Sequence, residues 1–218
     1  MYRNKEVERC LVEFHKILPL HFRQFPFDTI AAILTLSDCR IYSYQEFAKY
    51  CRVSVKKLIR LFGSKDGCTH KVGDGFIIMF NDCWSISRKR KMFTLAHELG
   101  HILLAHLTIL EKYKISPTDR INKYFENEAD YFAISLLAPA PILNRVKPKS
   151  IWAVQKGFGL SREDAEMAFD NYVYYDKYHN IEWHNEMLRL FGLERSPLDI
   201  ALHTHTDFGC EAATEIWR

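Results

Sequence analysis

His97-Glu98-Leu99-Gly100-His101 lies inside an apolar run from Phe93 to Leu107, and no other stretch restricts the fold as strongly. No proline interrupts Lys89 to Leu107, and Phe93, Leu95, Ala96, Leu99, Ile102, Leu103 and Leu104 favour a helix or a core. A helix this apolar belongs in the interior. It nevertheless carries two imidazoles and a carboxylate, groups that are costly to bury unless something compensates them. Two histidines four residues apart project from one helix face, one turn above the other, so both reach a single ion. The carboxylate between them is offset toward the next position on that face, where it holds a water rather than the metal. The pattern points to a zinc hydrolase, most often a peptidase, with His97 and His101 as ligands and Glu98 as the general base. Thr108 and Ile109 are expected to begin the exit from the helix.

One helix supplies only two ligands, whereas catalytic zinc takes three from protein and keeps a position open for water. An extension of the metzincin type would need glycine at Leu104 and histidine at Leu107. Neither is present, and His106 is one residue out of register. The next source is Glu126-Asn127-Glu128-Ala129-Asp130, which opens a periodic apolar segment from Tyr131 to Leu137. Glu126 and Asp130 are four apart and share a helix face. Glu128 lies about 200° around the helix from Glu126 and is expected to face away, while remaining the alternative third ligand if the register differs. Carboxylates at this point also suit the N-terminal turn of a helix, with no metal involved.

The Glu126-x-x-x-Asp130 spacing resembles the second motif of thermolysin-like and related zinc peptidases. That resemblance implies that Glu126 is the third ligand and that Asp130 accepts a hydrogen bond from His97. More widely, four segments resemble the ImmA/IrrE family of metallopeptidases. They are a short strand from Gly75 to Asn81, the basic run Arg88-Lys89-Arg90-Lys91 leading to Phe93-Leu104, Glu126-Ala133, and Leu136-Leu137-Ala138-Pro139. The likeness spans about Ile41 to Pro139. It departs at Ala138, where methionine is common before the proline, and this bears on packing more than on chemistry. The resemblance implies a Zn2+ cofactor and a cytoplasmic endopeptidase. Such proteins are often encoded with a helix-turn-helix repressor, which they cleave or inactivate to release genes of mobile elements or stress regulons. A second reading keeps the zinc fold but regulates a repressor, or DNA, by contact without cleavage; retention of Glu98 argues against it.

Composition sets the outer bounds. A chain of 218 residues can hold one sizeable core with a small appended domain. With 48% hydrophobic and 26% charged residues it reads as an ordinary globular protein. A formal charge of +3 is too small to indicate direct nucleic-acid binding. No signal peptide and no membrane-length apolar run is read, and oligomeric state is not legible. The six cysteines, Cys10, Cys39, Cys51, Cys68, Cys83 and Cys210, are scattered singly and read as free thiols in a reducing compartment.

The expected fold is α+β, mostly helical, with a small mixed or antiparallel sheet packed on the active-site helix in the zincin manner. Residues 1–145 are expected to form the metallopeptidase domain with an N-terminal helical part, and 146–218 a helical extension. Helices are expected over Glu6–Leu18, Ser43–Tyr50, Ser54–Phe62, Trp152–Phe158, Ser161–Tyr172 and Ile181–Phe191, a second helix or a buried segment over Thr29–Leu36, and strands at Ile41-Tyr42 and Phe76–Asn81. The helix pair at 44–62 superficially resembles a helix-turn-helix with Lys56, Lys57 and Arg60 outward, but a hairpin bracing the sheet is favoured. Residues 76–80 are the expected substrate-aligning strand, with an internal position as the alternative. The run Arg88–Lys91 is expected to be solvated. Tyr131, His106 and the tyrosines near residue 175 are unranked donors for the developing oxyanion. His203, His205, Asp207 and Cys210 could gather a second metal, although chance clustering near a terminus is the better reading.

Overall fold

Apolar spacing in the first helix shows how directly pattern becomes packing. Val7, Leu11, Phe14 and Leu18 recur at helical intervals, and all four are buried along or just beyond α1 (Lys5–Ile17). The computed structural model describes residues 5–114, 120–178 and 181–194. These fall into two compact units: residues 28–133, and a second unit that joins the segment before Asp28 to the segment from Ile134 onward. This grouping differs from the expected division at 145/146, because α1 packs with the C-terminal helices of its own unit.

The first of these units, from Asp28 to Ala133, opens with α2 (Thr29–Leu34), whose N-terminal amides are met by the Asp28 side chain. Then come β1 (Cys39–Ser43), α3 (Tyr44–Cys51) and α4 (Val55–Phe62). Ser43 and Glu46 close a reciprocal capping box on α3. Ser54 caps α4, and Gly63, at φ +71°, ends it in the left-handed conformation that suits glycine. Lys56, Lys57 and Arg60 are exposed, and α3 packs on β1 and β3.

Next, β2 (Gly67–Val72) and β3 (Gly75–Phe80) form a hairpin across Gly73-Asp74. The strand order is β1-β3-β2, with β1 parallel and β2 antiparallel to β3. The sheet is therefore mixed, and β3 is its central strand. This corrects the expectation that residues 76–80 align a substrate: an added strand can pair only at an edge. The edge beside the active helix is β2, which packs against both α5 (Arg88–Leu103) and α6 (His106–Tyr113). Beyond them, α7 begins at Arg120 and runs to Leu137, crossing from one unit into the other at Ala133 and Ile134.

Leu95, Ala96 and Leu99 of α5 have no solvent exposure, as an apolar core helix requires. The helix does not continue to Leu107. It stops at Leu103, Ala105 takes φ +57°, and α6 starts at His106. Thr108 and Ile109 are thus in a second helix, bent 54° from the first. No single helix among the described residues is long and apolar enough to cross a membrane; α5 and α6 together pass on composition, but they are bent, and α5 is a core helix. The basic run is also less solvated than expected: Arg90 pairs with Asp66 at 3.0 Å, and Lys91 donates to the Asp82 carbonyl at 2.9 Å.

In the second unit, α8 (Ala140–Val146), α9 (Ile151–Phe158), α10 (Arg162–Tyr178) and α11 (Ile181–Leu190) complete the chain's helices among the described residues. Val12 of α1 closes with Ala140, Tyr175, Trp183, Met187 and Leu190 into one apolar core. The segment with His203, His205, Asp207 and Cys210 lies outside the described residues. The five described cysteines are free thiols, in line with the sequence reading.

Candidate metal centre

The one-face argument for α5 holds in three dimensions. His97 Nε2 and His101 Nε2 lie 3.1 Å apart, on the side that meets α7. Glu126 of α7 completes a triangle, with Oε2 at 3.3 Å from His97 Nε2 and Oε1 at 3.6 Å from His101 Nε2. Tetrahedral zinc with ligands at about 2.05 Å sets its donors about 3.3 Å apart. The two imidazoles and one carboxylate therefore fit a zinc ion in both chemistry and spacing, with Glu126 half exposed.

The approach of α7 to α5 depends on Gly100. A Cβ there would stand 3.1–3.2 Å from the Cβ, Cγ and Cδ1 atoms of Phe132. Glycine inside the motif thus lets the two helices close, so that Glu126 and Asp130 reach the histidines.

Each histidine is also held from behind. His97 Nδ1 is 2.8 Å from Asp130 Oδ1, which leaves Nε2 for the metal side. His101 has a different partner: its Nδ1 is 3.1 Å from His106 Nδ1, and His106 Nε2 is 3.1 Å from Glu128 Oε2. Glu128 does point away from Glu126, but into this buried pair instead of into water. Both nitrogens of His106 are engaged, which removes it as an oxyanion donor. Tyr131 is buried, and Tyr175 meets His184 in the second unit.

The charges follow from these contacts. Burial lowers the proton affinity of His97, but the Asp130, Glu126 and Glu98 carboxylates more than reverse this and push its pKa up to about 10. Hydrogen bonds from His101 and His97 hold Glu126 well below the usual carboxylate range, against its partial burial. Burial, together with the neighbouring His101, pushes His106 down to about 3, so that its ring is neutral.

Glu98 points to the sheet side of α5. The Thr69 hydroxyl of β2 donates to its Oε2 at 2.7 Å, with both groups buried. Thr69 had no signal as a single residue in the sequence. The signal that could have found it is the turn Gly73-Asp74-Gly75 before β3, which joins that strand to the arm, β2, that carries Thr69. The acidic cluster also sits differently from one sequence expectation: α7 begins at Arg120, so Glu126–Asp130 are mid-helix and cap nothing.

Comparison with known proteins agrees with this geometry. Residues 72–169 match the family model described as the IrrE N-terminal-like domain of the M78 peptidases. The match covers a little under half the chain and holds β3 through α9 with the first half of α10, so it begins and ends later than the Ile41–Pro139 span seen in the sequence. No curated protein and no solved structure matches the chain. Residues 72–169 are thus similar to the IrrE N-terminal-like domain of the M78 peptidases.

Proposed function

We propose that the chain is a zinc-dependent endopeptidase of the cytoplasm that cleaves or inactivates a helix-turn-helix repressor of a mobile element or stress regulon. The observation that carries the enzymatic part is the His97, His101 and Glu126 triangle with a carboxylate, Glu98, next to its first ligand. Structural zinc has no use for that carboxylate. When bound, zinc supplies the Lewis acidity that polarises the scissile carbonyl and makes an attacking water more acidic.

The chain's own residues do the rest. Glu98 takes the proton from the attacking water and delivers it to the leaving amine. Thr69 holds Glu98 from the sheet, and Asp130 fixes the ring of His97. An extended segment of substrate pairs with the free edge of β2 and is thereby laid along α5. The repressor as substrate rests on family resemblance alone.

The test is incubation of purified protein with the repressor encoded beside it, analysed by mass spectrometry. Cleavage by the wild type that is lost in Glu98→Gln, with metal retained, supports the reading. Equal cleavage by both proteins would place the activity in a contaminant. Binding without cleavage would favour a contact regulator.

A further inference from the structure

The second ligand histidine heads a line of three side chains, His101, His106 and Glu128, that ends on a carboxylate of its own. Resting on the metal centre proposed above, we infer that His106 and Glu128 are positioning residues that fix the orientation and tautomer of His101.

The protons can be placed one at a time. With Nε2 of His101 facing the metal, its single proton sits on Nδ1 and is donated to His106 Nδ1 across 3.1 Å. His106, accepting there, carries its own proton on Nε2 and donates it to Glu128 across 3.1 Å. Every nitrogen then has one role, and a carboxylate closes the line. His97 has the same support in one step from Asp130. The two ligands are thus backed by two carboxylates two residues apart on α7, one acting directly and the other through an imidazole.

His106 is built for this role. It is 1% exposed, and its ring stacks on Phe125 at 4.4 Å and 13°. The break after α5 aims it: Ala105, in the left-handed region, turns the chain so that the first residue of α6 folds back on the last turn of α5. A continuous helix would carry position 106 further round, because five residues advance it by about 500°.

The test is metal affinity of the full chain, measured by competing Zn2+ or Co2+ against a chelating dye, with folding followed by circular dichroism. His106→Leu keeps the bulk but accepts no proton, and should weaken affinity by about 10- to 100-fold. His106→Asn places an oxygen near the lost Nδ1 and should stay within about threefold of wild type. Glu128→Leu should lose affinity as well, and the Co2+ absorption band of each weakened variant should shift. A folded His106→Leu with wild-type affinity overturns the inference, as does equal loss in His106→Leu and His106→Asn. If His106→Leu does not fold, unchanged affinity in Glu128→Leu decides against it. A wild type that binds no metal removes the centre itself, which is a separate failure.

Discussion

Thr69 and Glu98, 29 residues apart in sequence, are joined by a 2.7 Å hydrogen bond that ties the edge strand to the active helix. In the proposed reaction, the strand that would align a substrate thereby also holds the group that would move its protons. Thr69→Val, which keeps the shape and removes the donor, should lower kcat by roughly 10- to 100-fold, the scale of one hydrogen bond to a charged group. Thr69→Ser should recover most of the loss, and KM should change little in either. A Thr69→Val enzyme with full kcat would show that Glu98 is held by other means.

Gly100→Ala sets helix propensity against packing. Alanine favours the helix by about 1 kcal/mol. Its methyl, however, would press on the Cβ and ring of a fully buried Phe132, atoms too near the backbone to swing aside. The expected outcome is a melting temperature lower by a few degrees together with weaker metal binding, since α7 carries both Phe132 and Glu126. A higher melting temperature with unchanged affinity would mean that α7 has room to spare.

Acid stability should depend on His15. This ring is fully buried, with Phe27 and Phe191 against it at 5.9 and 5.2 Å, and neither nitrogen has a hydrogen-bond partner among the described residues. Burial, aided by Arg23, pushes its pKa down to about 4. The unfolded chain, near 6.5, takes the proton first as pH falls. The contribution is therefore complete above about pH 6.5 and is lost progressively toward pH 4, by an amount on the order of 3 kcal/mol. Urea titrations across this range should show a shallower decline for His15→Leu than for wild type. Parallel declines would assign the acid sensitivity elsewhere.

Much of the architecture is legible because local signals agree with packing. The apolar face of α1, the Ser43–Glu46 capping box, the Ser54 and Gly63 limits of α4 and the β3 run each combine a pattern with a matching cap or turn. His97, His101 and Glu126 can be found by spacing and resemblance, and they come together. What escapes the sequence has a physical reason. β2 reads Gly-Cys-Thr-His-Lys-Val, too polar to announce a strand, and is held by its partner β3. The break at Ala105 puts a non-glycine residue at positive φ, which no propensity scale anticipates. The register of His106 is out only for a continuous helix; once the chain bends, the same residue faces His101.

The most direct test of the metal centre is the metal content of protein purified under zinc-replete conditions, measured by mass spectrometry beside His97→Ala and Glu126→Ala. A centre built on His97, His101 and Glu126 requires about one zinc per wild-type chain and its loss from both variants. Zinc retained in Glu126→Ala would contradict the assigned third ligand, and a wild type without zinc would contradict the centre.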